Sequence, residues 1–215
     1  DYDVKAVNAA GFVQADYALT PRTTASAAIR IDGTVYDYTN NTDSGVVGRF
    51  LRLPDQTDKF VTASPKFSLR HALSDNASVY ASYARGARPP QTTDLYRLQI
   101  NQTGDQARPE KIDAVELGFR GSLGERVNLE LAGFFMDKKN FFFRDADGFN
   151  VANGKTRHVG VEADVRIALH ETLTLQSAVT YAKHTYRFDR PTGNSAESIS
   201  FGDDVDSAPR VMANT

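Results

Sequence analysis

The chain has 215 residues, of which 40% are apolar, and a formal net charge of −2 at pH 7. It contains no cysteine, which excludes disulfides and thiolate-bound metals, and its charge argues against a general nucleic-acid-binding role. No segment approaches the roughly 18 consecutive apolar residues of a membrane helix. A transmembrane β-strand carries apolar side chains on one face only. The mean hydropathy of −0.43 is therefore compatible with either a soluble or a membrane protein.

Apolar and polar residues alternate with a period of two along most of the chain, which predicts half-buried β-strands. The alternating segments lie, in chain order, at 11–19, 25–35, 67–69, 79–83, 115–119, 127–131, 159–167 and 173–181. They predict about eight strands, and a ninth is expected to begin near Arg210. No amphipathic helix is predicted.

The predicted connections alternate between short and long. Short connections lie near 20–24, 72–76, 121–126 and 168–172, and long ones lie near 39–64, 87–111, 142–155 and 187–209. Outer-membrane barrels have short turns at the periplasmic end and long loops at the extracellular end. A soluble sandwich has no reason to place every long loop at one end. The alternation therefore favours a membrane barrel.

The two strand faces and the strand lengths support the same interpretation. One face carries charged residues such as Arg30, Glu116 and Asp164, whereas the other carries mainly aliphatic and aromatic residues. Several segments reach about 10–14 residues, near the length of a tilted membrane strand. Aromatic residues near the segment ends fit the girdles found where lipid meets water. Those near the long loops are Tyr36, Tyr38, Tyr80, Tyr83, Phe134, Phe135 and Tyr181, and those near the short turns are Tyr17 and Phe119. The predicted fold is an all-β, antiparallel, up-and-down transmembrane β-barrel.

Several short motifs follow one another between 67 and 181. Gly86-Ala87-Arg88-Pro89-Pro90 ends one predicted strand, Pro109-Glu110 precedes Glu116-Leu117-Gly118, and Gly160-Val161-Glu162 lies on a later strand. In this order and spacing they resemble TonB-dependent outer-membrane receptors of the siderophore-receptor type. The resemblance singles out six family-motif residues: Pro109, Glu110, Glu116, Gly118, Gly160 and Glu162.

The resemblance implies a fragment of a larger protein. Such a receptor barrel has about 22 strands, so residues 1–215 are expected to be eight to nine strands from its C-terminal part, with the plug domain and TonB box outside this chain. It implies a transporter rather than an enzyme, located in the Gram-negative outer membrane. Its partners would be outer-membrane lipid, the TonB complex through parts outside the chain, and a siderophore-type ligand. No covalent cofactor is implied, because the ferric chelate is the transported ligand.

Ligand-binding candidates are expected to point inward near the long loops. Arginine and tyrosine suit an anionic, aromatic ferric chelate, although solvated residues that only shape the mouth would look the same. The candidates are Arg85, Arg88, Tyr96, Arg97, His158, His184 and Tyr186.

The two histidines follow from strand pairing. If partners across the turn at 168–172 have residue numbers that sum to 342, His158 lies opposite His184. A slip of one pairing step would place Ala182 there instead. Two close imidazoles can bind a metal, but polar residues lining a lumen explain them equally well, and no metal site is predicted.

Smaller features receive structural interpretations. Asp16 and Arg30 share a face of the first hairpin and are expected to form a cross-strand ion pair. Asp145-Ala146-Asp147-Gly148 is interpreted as a glycine-containing loop rather than a calcium site. Phe141, Phe142 and Phe143 are expected to pack against neighbouring loops.

Three alternatives remain open at this point. One is a complete eight-stranded barrel with a structural or adhesive role, since eight strands can close. Another is a segment of a passive porin. The third is a soluble all-β domain, which would bury its apolar face against a second sheet.

Overall fold

The computed structural model describes residues 1–100, 102 and 107–215. Strands dominate this part of the chain. In chain order they are β1 (Tyr2–Thr20), β2 (Thr23–Asn40), β3 (Gly45–Val47), β4 (Phe50–Arg52), β5 (Gln56–Ser74), β6 (Ala77–Arg88), β7 (Leu98–Gln99), β8 (Glu110–Leu123), β9 (Val127–Arg144), β10 (Asn150–His170), β11 (Leu173–Tyr186) and β12 (Val211–Asn214).

Nine of these strands form one antiparallel sheet in the order β1-β2-β5-β6-β8-β9-β10-β11-β12. Each inner strand pairs with the strands of this sheet that come before and after it along the chain, and the edge strands β1 and β12 pair with one neighbour each, which is an up-and-down meander. The predicted ninth strand is present as β12, beginning at Val211 beside β11. Since β1 and β12 lie at opposite edges of the described sheet, the alternative of a closed eight-stranded barrel is wrong.

The connections alternate as predicted. Short turns at 21–22, 75–76, 124–126 and 171–172 lie at one end of the sheet, and the long connections at 41–55, 89–109 and 187–210 lie at the other. The β9–β10 connection is shorter than predicted, because both strands continue beyond the alternating part of the sequence to Arg144 and from Asn150. β5 likewise begins at Gln56, inside a predicted loop. Above the apolar band, charged, polar and aromatic residues follow one another without alternation, as at 137–144 of β9, so the period of two no longer marks the strand.

The long loops have secondary structure of their own. β3, β4 and β7 form a separate three-stranded sheet, and a short helix, α1, spans Thr92–Tyr96. No helix was predicted, because five residues are too few to show a period of 3.6. The Asp94 carboxylate accepts a hydrogen bond from the Gln91 amide at 3.0 Å, which satisfies a free N–H group at the start of the helix.

The apolar face of the main sheet is exposed. Large side chains on it, such as Val13, Leu117 and Val161, have 58–62% of their surface accessible. The one cluster of buried apolar residues in the described chain lies at the long-loop end and comprises Tyr36, Tyr38, Leu95 and Tyr96. A soluble domain would bury its apolar strand face, so this distribution excludes the soluble alternative. Within the described residues, helices of membrane-spanning length and hydropathy are absent.

Two sequence expectations about this sheet need correction. Tyr36, Tyr38, Tyr80 and Phe134 were expected in an aromatic girdle, but strand pairing places them on the polar face. Asp16 lies opposite Ser26, which donates a hydrogen bond to it, and Arg30 instead pairs with Asp32 at 2.6 Å. The first error concerns the face, because each of these rings has the parity of the polar residues of its own strand. The second concerns the height, because a period of two determines which residues share a face but not their position along the strand.

Candidate functional site at the mouth

The polar face of β6, β8, β9, β10 and β11 gathers charged, imidazole and aromatic side chains near the long loops. We call these residues the mouth cluster. Its members are Arg88, Glu110, Lys138, Phe141, Phe143, His158, His184, Tyr186 and Phe188.

An ion triad lies at the β6 side of the mouth cluster. One oxygen of the Glu110 carboxylate lies 2.6 Å from Arg88 Nη2, and the other lies 2.7 Å from Lys138 Nζ. The triad has two cations and one anion, so it carries a net positive charge. Glu110 is the second residue of the Pro-Glu motif, and the preceding carbonyl of Pro109 accepts a hydrogen bond from Asn140 Nδ2 at 3.1 Å. The motif therefore holds a carboxylate between two basic side chains.

The two histidines meet as the predicted register requires. His158 is the partner of His184 across β10 and β11, and their Nδ1 atoms lie 2.7 Å apart. One imidazole must donate and the other accept, so both Nδ1 atoms cannot be protonated at once. The Nε2 atom of His158 lies 2.9 Å from Thr156 Oγ1. On the other side, Met136 of β9 is the register partner of His158.

An aromatic wall completes the mouth cluster on the β11 side. The Phe188 ring packs edge-to-face on Tyr186 and Phe143, with centroids 5.8 Å away in each case, and Phe141 lies 5.1 Å from Phe143. The Lys138 ammonium lies 5.3 Å from the centroid of Phe141, which joins the wall to the ion triad. The prediction that the phenylalanine run packs against a neighbouring loop is confirmed for Phe141 and Phe143.

Three predicted ligand residues lie outside the mouth cluster. Arg85 was expected to point inward, but it lies on the apolar face, where its guanidinium pairs with Asp113 at 2.7 Å. Arg97 is exposed at the C-terminal end of α1. Tyr96 is only 3% exposed and stacks on Tyr38 at 4.5 Å, so its ring supports the loop and does not face solvent.

The hydroxyl of Tyr96 is equally committed to the loop. It donates a 2.7 Å hydrogen bond to Asp58 Oδ2 on β5. Burial, reinforced by this bond to a carboxylate, raises the pKa of the Tyr96 phenol well above its ordinary value of 10. The group is therefore a neutral donor that anchors α1 to the sheet.

The remaining motif residues occupy the polar face lower on the strands. A methyl group added to Gly118 would overlap the Tyr80 ring, and one added to Gly160 would lie 2.6 Å from the Phe134 ring. Both glycines therefore make room for an aromatic ring from the neighbouring strand. Glu116 and Glu162 lie on the same face, opposite Phe134 and Thr180 respectively.

Sequence reasoning missed Lys138 and Phe188. Lys138 continues the parity of Phe134 and Met136 along β9, so extending that alternation by two residues would have placed it on the polar face. Phe188 lies beyond the end of β11 in a connection without periodicity. No pattern in the sequence connects it to Phe143.

A meander of long antiparallel strands, with an exposed apolar face, a polar face and long loops at one end, defines an outer-membrane β-barrel protein. Residues 1–215 match the family described as TonB dependent receptor-like, beta-barrel, and the chain belongs to this family. It is therefore a receptor barrel of the bacterial outer membrane and not an enzyme. The polar face lines the lumen and the apolar face meets lipid.

Individual relatives agree with this assignment. The chain is 32% identical over 92 residues to BfrD, a probable TonB-dependent receptor of Bordetella pertussis. The matched region covers 42% of this chain and 12% of BfrD. The siderophore receptor PiuA of Acinetobacter baumannii superposes with a TM-score of 0.74 at 17% identity, over 99% of this chain and 31% of PiuA. The copper transporter OprC superposes with a TM-score of 0.70 at 18% identity, over 85% of this chain and 29% of OprC. The chain thus spans less than a third of each of these proteins.

Proposed function

We propose that the full-length protein containing this chain imports a ferric siderophore, or a similar scarce chelate, across the outer membrane with energy from the TonB complex. The observation that carries the proposal is the mouth cluster. It combines a net positive ion triad with an aromatic wall on the lumen face. Siderophore complexes of the catecholate and phenolate kinds are anionic and expose flat aromatic rings, which such a surface binds by charge-assisted hydrogen bonds and stacking.

Among the predicted ligand residues, the structure supports Arg88, His158, His184 and Tyr186 for this role, because they share the lumen face with Lys138. We assign Arg88 and Lys138 to the anionic oxygens of the chelate. These two cations share a single carboxylate, that of Glu110, so one positive charge is left for the ligand. Tyr186 and Phe188 would contact its rings. The similarity to PiuA, which is described as a siderophore receptor, agrees with this choice of ligand.

A second candidate ligand is a copper ion. The Met136–His158–His184 register row places one thioether and two imidazoles side by side on the lumen face. Thioether and imidazole ligands both suit copper. The chain also superposes with OprC, which is described as a copper transporter. Copper uptake is therefore measured separately from uptake of iron chelates.

The proposal is tested by uptake in cells that express the full-length receptor under iron limitation, with and without TonB. Radiolabelled ferric catecholate, ferric hydroxamate and copper are supplied separately. TonB-dependent accumulation of an iron chelate supports the siderophore assignment, and TonB-dependent accumulation of copper alone replaces it with the second candidate. Passive flux of small solutes without TonB would contradict both and favour a porin.

A paired substitution then examines the mouth cluster. We expect Arg88→Gln with Lys138→Gln to weaken binding of the transported chelate by about 10- to 100-fold, because two charge-assisted hydrogen bonds are lost. The matched control is Arg166→Gln, which removes a cation from the lumen face near the short-turn end and should leave affinity unchanged. Equal affinity of the paired variant and the control would place the ligand elsewhere.

A further inference from the structure

The connection between β6 and β8 folds inward, over the lumen face of strands to which it does not belong. The Pro90 carbonyl accepts a hydrogen bond from the Tyr36 hydroxyl at 3.1 Å. Further along, the Tyr96 ring stacks on Tyr38, and its hydroxyl donates to Asp58. Strand pairing places Tyr36, Tyr38 and Asp58 on the lumen face of β2 and β5. The connection therefore lies inside the top of the lumen.

The same segment also reaches the opposite side of the mouth. Gln99 Nε2 donates a hydrogen bond to the Gly148 carbonyl at 2.6 Å, and Asn150 Nδ2 donates to the Arg97 carbonyl at 3.3 Å. Both partners lie at the tip of the β9–β10 hairpin. Since β6 and β8 stand between β5 and β9 in the sheet, the segment crosses in front of these two strands. We call residues 90–100 the strap.

The strap lies directly over the ion triad of the mouth cluster. Pro90 and Asp94 of the strap line a small cavity together with Arg88 and Glu110. An α-helix with its side chains is about 10 Å across, so α1 takes a layer of about that thickness from the lumen. A ligand that arrives from outside has to pass the strap before it reaches Arg88.

Burial makes the strap a fixed part of the entrance. Leu95 and Tyr96 are 2% and 3% exposed, and Leu98 is buried and pairs with Leu51 in the small sheet. Segments that open readily have few buried apolar contacts, which is not the case here. In the described part of the chain, Gln99 Oε1 is a buried oxygen without a hydrogen-bond partner, so this end of the strap is the less stable one. The Tyr96 end therefore carries most of the anchoring.

We propose that the strap is a size filter that sets the largest molecule able to reach the mouth cluster from outside, with Tyr96 as the positioning residue that holds it in place. Small chelates pass beside the strap, whereas chelates with bulky substituents are excluded. The proposal rests on the proposed uptake function for its role in choosing between chelates. The width of the entrance is nevertheless a property of the barrel and is measured without a transported ligand.

The test places a single cysteine below the strap in the full-length receptor on intact cells. Ala84→Cys is the reporter, because Ala84 belongs to the register row of Met136 and His158 on the lumen face. Two reagents are compared, biotin maleimide and a maleimide carried on a polyethylene glycol chain. Asn194→Cys, in the exposed β11–β12 connection, gives the rates of both reagents without a barrier. The parent without either substitution gives the background.

We expect the small maleimide to modify Ala84→Cys and the large one to be excluded from it. Adding Tyr96→Phe should raise the rate with the large reagent about 10-fold, because loss of an anchoring hydrogen bond increases the fraction of receptors with a displaced strap. The rate with the small reagent should stay unchanged. Tyr83→Phe is the matched control, since it removes a tyrosine–carboxylate bond to Asp113 on the lipid-facing side. It should change neither rate.

Two results would overturn the proposal directly. In one, the large reagent modifies Ala84→Cys as readily as Asn194→Cys, and in the other, Tyr96→Phe leaves its exclusion unchanged. Exclusion of both reagents from Ala84→Cys would overturn it as well, since the strap would then seal the lumen rather than select by size. Because no chelate takes part, a receptor that does not import iron would refute the proposed function and leave the size filter standing.

Discussion

The rings of Tyr80 and Phe134 each lie over a glycine of the neighbouring strand, Gly118 and Gly160 respectively, and this explains two motif residues in physical terms. A side chain at either position would displace the ring. Tyr80 also lies under the Arg120 guanidinium at 4.7 Å. The glycine, the ring and the arginine therefore form one lumen-side contact, and the motif preserves the space for it.

Gly118→Ala should lower the free energy of unfolding of the full-length receptor by about 1–3 kcal/mol, the usual cost of forcing an extra methyl group into a packed site. Urea unfolding in lipid vesicles measures it. Gly133→Ala is the matched control, because a methyl group there meets nothing closer than the Gly160 carbonyl at 3.9 Å. Equal destabilisation of the two variants would show that the ring contact is not the cause.

Tyr96→Phe should loosen α1 from the sheet without changing the barrel. The change leaves Asp58 without its phenol donor and is expected to cost about 1–3 kcal/mol locally. Because the pKa of Tyr96 is raised in the folded loop, the stabilisation is fully present below the unfolded value near 10 and declines as the pH rises through the folded value. Hydrogen exchange of residues 92–96, and ultraviolet titration of parent and variant, would measure both effects. A Tyr96 that ionises near pH 10 would contradict this account.

The sequence predicts single residues well where strand parity and a tight turn act together. His158 and His184 are opposite because the β10–β11 turn is short enough to determine the register. Asp16 and Arg30 share a face, yet the β1–β2 turn places them four residues apart in register. Tyr96 could not be predicted as a buried anchor, because its partners Tyr38 and Asp58 come from two distant strands.

At the scale of elements, the short β9–β10 connection and the long β11–β12 connection are joined by a buried ion pair. The side chain of Asp145, in the β9–β10 connection, is only 2% exposed. Its Oδ2 atom lies 2.6 Å from Nη2 of Arg190, which belongs to the β11–β12 connection. The Gly193 amide donates to Asp147 Oδ2 at 2.8 Å between the same connections. This agrees with the interpretation of 145–148 as a glycine-containing loop, and Asp145 serves as an anchor that no pattern in the sequence indicates.

Arg190→Met should release the β11–β12 connection. The substitution leaves the Asp145 carboxylate buried without its partner, which costs about 3–5 kcal/mol when one member of a buried pair is removed. We expect faster proteolysis within 187–209 on intact cells and unchanged barrel stability. Arg210→Gln is the control, since its pair with Asp204 is exposed and should contribute little. Equal protease resistance of parent and Arg190→Met would mean that the two connections are held together by other contacts.

At the scale of the whole molecule, sequence periodicity and loop alternation suffice to predict the fold class, the strand order and the lipid-facing residues of the central strands. They fail above the apolar band. There the strands extend further, and the loops add α1 and the sheet of β3, β4 and β7. Apolar and polar residues alternate along a strand only where one of its faces contacts lipid, so the alternation ends at the edge of the apolar band.

Residues 1–215 expressed alone should not form a heat-modifiable barrel. The described sheet has β1 and β12 at its edges, and a membrane strand with an unpaired edge exposes backbone groups that lipid cannot satisfy. The measurement is the electrophoretic mobility of the isolated chain and of the full-length receptor, each with and without boiling. The mobility of the full-length receptor should change on heating. A shift for the isolated chain would show that its edges pair with each other or with a second copy.

Every long strand of the meander pairs only with its neighbours along the chain. Contact between strands is therefore local in sequence, which favours growth of the sheet by successive addition of hairpins rather than by distant chain closure. The same feature bears on evolution. Gain or loss of one hairpin would change the circumference of a barrel by two strands and leave every other register intact, so pore width can vary while the wall chemistry of each hairpin is inherited unchanged.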